Sequence, residues 1–486
     1  MDPRALLDEK DRTVLEALSF LERNHNKSND IVVISKAVNS TPRQLVALLK
    51  GVNADLREIF PTDNIYVAEV KKSVWEVHNF SKLTLEQISL AFLRRSSMFM
   101  VFEYLVFYTD ILSPHQYVQK RHVSRAVFYR RLKQAERLVR HFLVEDIAEK
   151  PGSEFQNRLL LFQLYYSAFK GYGEPLPELD PLINAVIDVC EPFFSHALRT
   201  SQRAKLSIFL RIWIMRQRNK KINSLESIQV DENNQQYPKL FAGLKQALSR
   251  NFQLSDSEMN YLYGFLLAKQ YVEPTSDAEI TNNFPLAAAV SDDLINLIRD
   301  FQIMDHFDPS VERRLRHDFT EVNLQLTSFY IEPMTFIRES SSKFFGKTYP
   351  SFDITIVRFM MQMDRRYNIS LSPEDWVNVY YGYMFALINN VSKEEIKERV
   401  YVAIDFSQGD LYTQYVINSL DAFHHANIIV GSTVTKDTDI YVSDVYSSNV
   451  HLPQLIWEDP PTPEDWDDLG TLIEIARSGK AVQLFK

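Results

Sequence analysis

One cysteine, Cys190, stands in 486 residues. A single thiol excludes an internal disulfide and a thiolate metal cluster, and it fits a reducing cytoplasm. Glycine is scarce too, at 12 residues. With Phe, Tyr and Leu abundant, that scarcity favours helices over turn-rich sheets. Long apolar runs are missing. The longest, Met98 to Leu112, is broken by Glu103 and Asp110 and is too short to span a bilayer. The opening residues, MDPRALLDEKDRT, are charged throughout and do not read as a signal peptide. No Walker loop, no zinc-ligand spacing and no paired carboxylates stand out, so no enzyme activity, metal or cofactor is expected. His424-His425 does not change this: neighbours on a helix point about 100° apart and converge poorly on one ion.

What is present is ordinary in bulk and uneven in detail. The chain is 45% hydrophobic and 24% charged, as soluble globular proteins are. It is too long for one core, so several domains are expected. The net charge of −9 argues at first against nucleic acid. Residues 1–150 nevertheless hold 23 basic and 19 acidic side chains, a balance of +4, which leaves −13 for the remainder. Affinity for a polyanion follows the local field within a Debye length, not the total.

The most informative stretch is SPHQYVQKRHVSRAVFYRRLKQAERLVRHF, Ser113 to Phe142. Ser113-Pro114 reads as a helix cap followed by proline at the first helical position. A short helix with Tyr117 and Val118 inward, a turn at His122-Val123, and a longer helix capped by Ser124 give a helix-turn-helix. Val127, Phe128, Leu132, Ala135, Leu138 and Val139 recur at helical spacing on the longer helix. Between Lys120 and His141 stand eight Lys or Arg and one acid, Glu136. A major groove admits one helix and phosphates flank it. Ser124, Arg125, Tyr129, Arg130, Arg131 and Lys133 are therefore the candidate DNA contacts of this helix.

An earlier segment has a related pattern. Asp11 to Asn24, Ile31 to Val38 and Arg43 to Ile59 read as helices, with Phe60-Pro61 as a stop and Ile65 to Val77 as a weakly alternating β-wing. This reads either as a winged-helix module, with Arg43 and Gln44 at the DNA, or as a three-helix packing module. Leu83 to Tyr108 is mostly apolar, helical, and placed to pack beneath the second helix-turn-helix. Lys150-Pro151-Gly152-Ser153 is the clearest linker.

Phe155 to Asn390 reads as helical and carries a faint repeat. Tyr237-Pro238 precedes LSDSEMNYLYGFLLA, and Tyr349-Pro350 precedes LSPEDWVNVYYGYMFA. The pairs Tyr263-Gly264 and Tyr381-Gly382 lie 118 residues apart, which means duplicated domains rather than a solenoid. His196 and His317, 121 residues apart, nearly keep that spacing. Neutral imidazole accepts a phosphoryl group. Arg199 and Arg203 follow His196 along one expected helix face, and Arg313, Arg314 and Arg316 precede His317. Each site reads either as a phosphorylation site steadied by guanidinium groups or as a surface histidine among solvated arginines.

The end of the chain changes character. Arg399 to Ile404, Ala426 to Gly431 and Asp439 to Val442 read as strands, with helices over Leu411 to Leu420 and Gly470 to Ser478. That order fits a small α/β domain with a mainly parallel sheet. WEDPPTPEDWDD, Trp457 to Asp468, holds six acids and no base and reads as a solvated loop.

This order of parts resembles the Mga family of transcriptional regulators over essentially the whole chain. The best local matches are SPHQYVQKRHVSRAVFYRRLKQAERLV and RVYVAIDFSQGDLYTQYVINSL. The resemblance implies a mainly α multidomain protein. It implies a first winged helix-turn-helix over residues 1–80, a second helix-turn-helix over 81–150, PTS-regulation domains over 154–275 and 285–393, and an EIIB-like α/β domain over 397–486. It also implies a cytoplasmic regulator that binds promoter DNA, forms a homodimer and takes phosphate on histidine from an HPr-type phosphocarrier, away from any membrane. EIIB enzymes keep a phosphorylated cysteine three residues before the loop glycine; here Phe406 stands there before Gly409, so phosphotransfer through that domain is not expected. A PTS-regulated RNA antiterminator is the alternative, and a phosphotransferase relay enzyme is a more distant one. Antiterminators begin with a small β-rich RNA binder that residues 1–150 do not resemble, and the missing cysteine speaks against the relay enzyme.

Overall fold

The computed structural model describes residues 2–24, 29–143, 153–169, 171–221, 234–274, 276–329, 339–420, 427–458 and 460–485. The protein is mainly helical with a small C-terminal sheet. It divides into two units, Met1–Thr275 and Ser276–Lys486.

The first unit begins with α1 (Glu9–Arg23), α2 (Ile31–Ala37) and α3 (Pro42–Ile59), followed by the antiparallel hairpin β1 (Tyr66–Lys71) and β2 (Val74–His78). Leu15, Leu18, Ile34, Leu45, Leu49 and Leu56, at helical spacing within their helices, are buried together. Asn53 on α3 fixes the hairpin, donating to the Val67 carbonyl and accepting from the Val67 N–H, both at 2.8 Å. The segment before α2 adds to β2: Trp75 donates to the Asn29 carbonyl at 3.0 Å and Ile31 to that of Ser73 at 2.7 Å.

The expected continuous helix from Leu83 to Tyr108 is two helices, α4 (Lys82–Arg95) and α5 (Ser97–Phe107). Ser96 breaks them. Its hydroxyl accepts from the Met98 and Phe99 N–H groups and donates to the Leu6 carbonyl at 2.6 Å. A buried hydroxyl that satisfies helix-end donors this well outweighs the apolar continuity of the sequence. Then come α6 (Pro114–Lys120) and α7 (Arg125–Phe142), with α7 packed against α5 as expected.

The rest of the first unit is a bundle of α8 (Ser153–Phe169), α9 (Asp180–Cys190), α10 (Thr200–Arg218), α11 (Gln236–Leu248) and α12 (Asp256–Ala268). Of the expected linker, Ser153 opens α8 and the other three residues lie outside the described ones. Buried charges are paired, as they must be: Arg158 meets Glu258 at 2.6 Å and Glu154 at 2.9 Å, while Arg216 holds Glu154 and donates to the Val106 carbonyl of α5 at 2.8 Å.

The second unit opens with α13 (Asp277–Asn283); α14 (Pro285–Phe301), α15 (Pro309–Thr327), α16 (Glu339–Thr348), α17 (Pro350–Met360), α18 (Met363–Tyr367) and α19 (Pro373–Asn390) then surround one apolar core. A four-stranded parallel sheet follows, in the order β4 (Ile428–Gly431), β3 (Val400–Asp405), β5 (Ile440–Ser443), β6 (Gln454–Ile456). Three strands were expected. The fourth, QLI, is too short to register as a hydrophobic run. The helices α20 (Asp410–Ser419) and α21 (Pro463–Leu484) accompany the sheet. The expected acidic loop ends at Thr462, whose side chain caps α21 with Asp465 in a reciprocal box, so most of its acids lie in the first turns of a 22-residue helix. Phe406 is buried in the core of this α/β part.

Candidate nucleic-acid interface

Two turns in the first unit are built alike. The helix α2 has seven residues, then four residues intervene, and α3 has 18. The helix α6 has seven, four intervene, and α7 has 18. The second intervening residue is left-handed in both, Asn39 at φ 48° and His122 at φ 54°. The residue after it closes the same bond: Ser40 N–H to the Ser35 carbonyl at 2.9 Å, and Val123 N–H to the Val118 carbonyl at 3.1 Å. This satisfies the last carbonyls of each short helix and redirects the chain. Neither turn uses glycine; Asn and His are among the side chains that tolerate positive φ.

The second turn rests on an aromatic base. Tyr117 is fully buried, with Tyr104, Tyr108 and Phe128 around its ring, and donates to the Met100 carbonyl at 3.0 Å. The helix α7 buries Phe128 and Ala135. Its other face carries Arg125, Tyr129, Lys133 and Arg137 at four-residue spacing, with Arg130 and Arg140 alongside, all exposed. Tyr129 is 55% exposed. Among the described residues none of these six meets a carboxylate. Arg125 touches His115.

Two further candidates stand apart from this row. Arg131 points inward to the Asp8 carboxylate at 3.1 Å, with Ser97 Oγ at 3.3 Å. Ser124 stands at the cap position, but its side chain makes no capping bond. On the first module Arg43 and Gln44 lie exposed at the start of α3. The Gln44 side-chain carbonyl accepts from the capping Thr41 hydroxyl at 2.9 Å. Lys71, which ends β1, and Lys72, in the turn after it, are exposed at the tip of the hairpin and were not among the expected contacts; two adjacent lysines in the expected wing were the available signal.

A buried carboxylate joins the second turn to the bundle. Glu103 of α5 meets Arg121, which ends α6, at 3.1 Å and accepts from the Tyr165 hydroxyl of α8 at 3.0 Å. Burial pushes the Glu103 carboxyl up to about 7, although Arg121 and Tyr165 pull it down.

The histidines fall differently from expectation. His196 is exposed in the loop before α10, and Arg199 is the cap residue of that helix, so His196, Arg199 and Arg203 do not share a helix face. The Gln202 side chain turns back to the Arg199 N–H at 2.9 Å and fixes the helix start there. His317 is exposed inside α15. The two are not equivalent positions. His306 resembles His196 in setting: it is exposed two residues before the cap Asp308 of a 19-residue helix, as His196 stands three residues before the cap Arg199 of another. Near His317, Arg316 is paired with Asp292 and Glu312, and Arg314 donates to Asn390 at 3.1 Å. In the α/β part, the loop after β3 donates the Ser407 N–H to Asp444 at 2.9 Å. His424-His425 lies outside the described residues.

Among the described residues no helix is long and apolar enough to cross a membrane, and no group of three or more His, Cys, Asp or Glu is placed to hold a metal ion. Compared with known proteins, the chain matches no family model and no curated protein.

Proposed function

We propose that this chain is a DNA-binding transcriptional regulator with two helix-turn-helix modules in its first 150 residues. The observation that carries the reading is the pair of matching turns, each followed by an 18-residue helix: α7 with an exposed row of arginines and lysine, and α3 with Arg43, Lys50 and Arg57 exposed. The hairpin after α3, with Lys71 and Lys72 at its tip, supports reading the first module as winged. Arg125, Tyr129, Arg130 and Lys133 are the proposed contacts of the second module; Arg43, Gln44 and the wing lysines are those of the first. Arg131 is assigned to the fold instead.

The helical repeats read as PTS-regulation domains, and the parallel sheet with its helices as an EIIB-like domain. On that reading the regulator is cytoplasmic, forms a homodimer and is controlled by phosphorylation at His196 or His317, with His306 joining them. An HPr-type phosphocarrier is the donor that the family resemblance implies. Sedimentation of the full chain at micromolar concentration tests the dimer. The DNA reading is tested by fluorescence anisotropy with labelled duplexes over a salt series: binding that steepens as salt falls is expected, and an absence of binding at low salt overturns it.

A further inference from the structure

We infer that the two helix-turn-helix modules form one rigid reading head, so that a single chain engages two tracts of one duplex at a fixed separation. The inference rests on the DNA reading proposed above and adds the spacing rule. Its basis is the junction between the modules.

No linker separates them. The helix α4 packs against α1 and α3 of the first module, and α5 packs against α7 of the second. Between α4 and α5 stands only Ser96, buried and bonded to Leu6. Arg95, the last residue of α4, grips two carboxylates with one guanidinium: Asp11 of α1 at 2.8 Å through two nitrogens, and Asp55 of α3 at 2.7 and 3.0 Å. Asp8, the residue before α1, reaches the second module. It accepts from the Ser97 N–H at 3.1 Å, from the Ser97 hydroxyl at 2.8 Å and from Arg131 at 3.1 Å. An arginine in the middle of a DNA-facing helix is thus spent on a carboxylate of the other module. The two Arg95 pairs are bidentate and fix orientation as well as distance, while Arg131 reaches Asp8 through one bond.

A rigid head has a consequence that tethered modules do not share. Each inserted base pair moves the second tract along the duplex and also rotates it, with a full turn after about ten base pairs. Flexibly linked modules follow such a change at small cost in effective concentration. Modules welded through α4, Ser96, Arg95 and Asp8 follow neither a half turn nor a full turn. One module must then let go, and the loss is that of the second binding event, about a hundredfold.

The test uses the full chain and duplexes selected with it from a random-sequence library. Hydroxyl-radical footprinting maps the protected tracts, with Arg43→Glu plus Lys71→Glu expected to erase one and Arg130→Glu plus Lys133→Glu the other. Insertions of about five and ten base pairs, a half and a full turn, are then placed between the tracts. Both are expected to weaken binding about a hundredfold, to the level of a duplex with one tract. A double variant, Asp8→Ala with Arg95→Ala, is expected to bind the duplex without insertion more weakly than the native chain, because the loosened junction no longer holds the two modules at the spacing of the tracts. If that variant fails to fold, the insertion series with the native chain decides alone. A full-turn insertion that keeps most of the affinity, or a single protected tract, overturns the rigid head while the DNA reading stands. Failure to select any duplex overturns the DNA reading and the inference with it.

Discussion

The Asp8 carboxylate and the Arg131 guanidinium meet at 3.1 Å across 123 residues of sequence. Each side chain is about a quarter exposed, at 27% and 26%. Arg131→Glu sets two carboxylates against each other at a half-buried site and removes a donor from Ser97. We expect it to destabilise the first unit by about 1–2 kcal/mol. Arg130→Glu, one residue earlier but solvent-facing, is expected to change stability by less than about 0.5 kcal/mol. Calorimetric midpoints of the two variants separate these roles; equal midpoints would remove the Asp8 contact as a structural tie.

For DNA binding the order reverses. Arg130→Glu with Lys133→Glu is expected to weaken binding about a hundredfold, to the level of one module, while the folded signal persists. For about five phosphate contacts per site, log K should fall against log salt with a slope near −4 or steeper. A slope near zero, or normal binding by the double variant, contradicts the assignment of α7.

The left-handed turns give a paired prediction. His122→Val or Asn39→Val forces a β-branched side chain into positive φ and should cost about 1–2 kcal/mol. Glycine at either position should be neutral or better. Matching penalties at the two sites are expected from matching geometry. A valine tolerated at His122 would show that this turn does not hold the conformation described.

Glu103 gives a pH signature. Its folded value lies above the ordinary 4.5, at about 7. The folded state therefore holds this proton where the unfolded state has released it. The contribution to stability is present below about 4.5, falls as pH rises between 4.5 and 7, and is gone above 7. A shift of this size corresponds to about 3 kcal/mol. Glu103→Gln cannot ionise, so the difference in melting temperature between variant and native chain should favour the variant progressively from pH 5 to pH 8. A constant difference across that range would show that Glu103 stays ionised throughout.

Phosphoryl transfer is tested directly. Incubation with a phosphorylated HPr-type carrier, followed by mass spectrometry that avoids acid, should place label on His196, His306 or His317. Alanine and aspartate at a labelled site should shift promoter output in opposite senses. Label at none of the three, with unchanged output, leaves the repeats as scaffolding.

The α/β part carries no separable role in a truncation experiment. Arg477 of α21 is buried, lies 3.7 Å from buried Glu398 and donates to the Thr348 carbonyl, and Ser351 at the start of α17 donates to Glu398 at 2.8 Å. Removal of residues 397–486 exposes that surface. It should lower the stability of the preceding helices as well as any self-association.

Local chemistry determined much of what the sequence revealed. The cap at Ser113, the spacing of Phe128 and Ala135, the apolar run Val400 to Ile404 and the Tyr-Gly pairs are short-range signals, and the elements they mark are present. The helix period of α7 also set which residues face outward, because 3.6 residues per turn fixes the face once one side is apolar. What the sequence could not determine was the partner of each polar side chain. Arg130 and Arg131 are identical neighbours in sequence. Only the fold, by bringing the start of α1 beside α7, turns one to solvent and the other to Asp8. The same holds for the histidines. Spacing matched His196 with His317, yet His196 stands in the loop before α10, whose start Gln202 fixes, while His317 lies inside α15 and His306 stands just before that helix's cap Asp308. Capping and ion pairing between distant segments are tertiary facts, since each depends on a partner that no window of sequence contains.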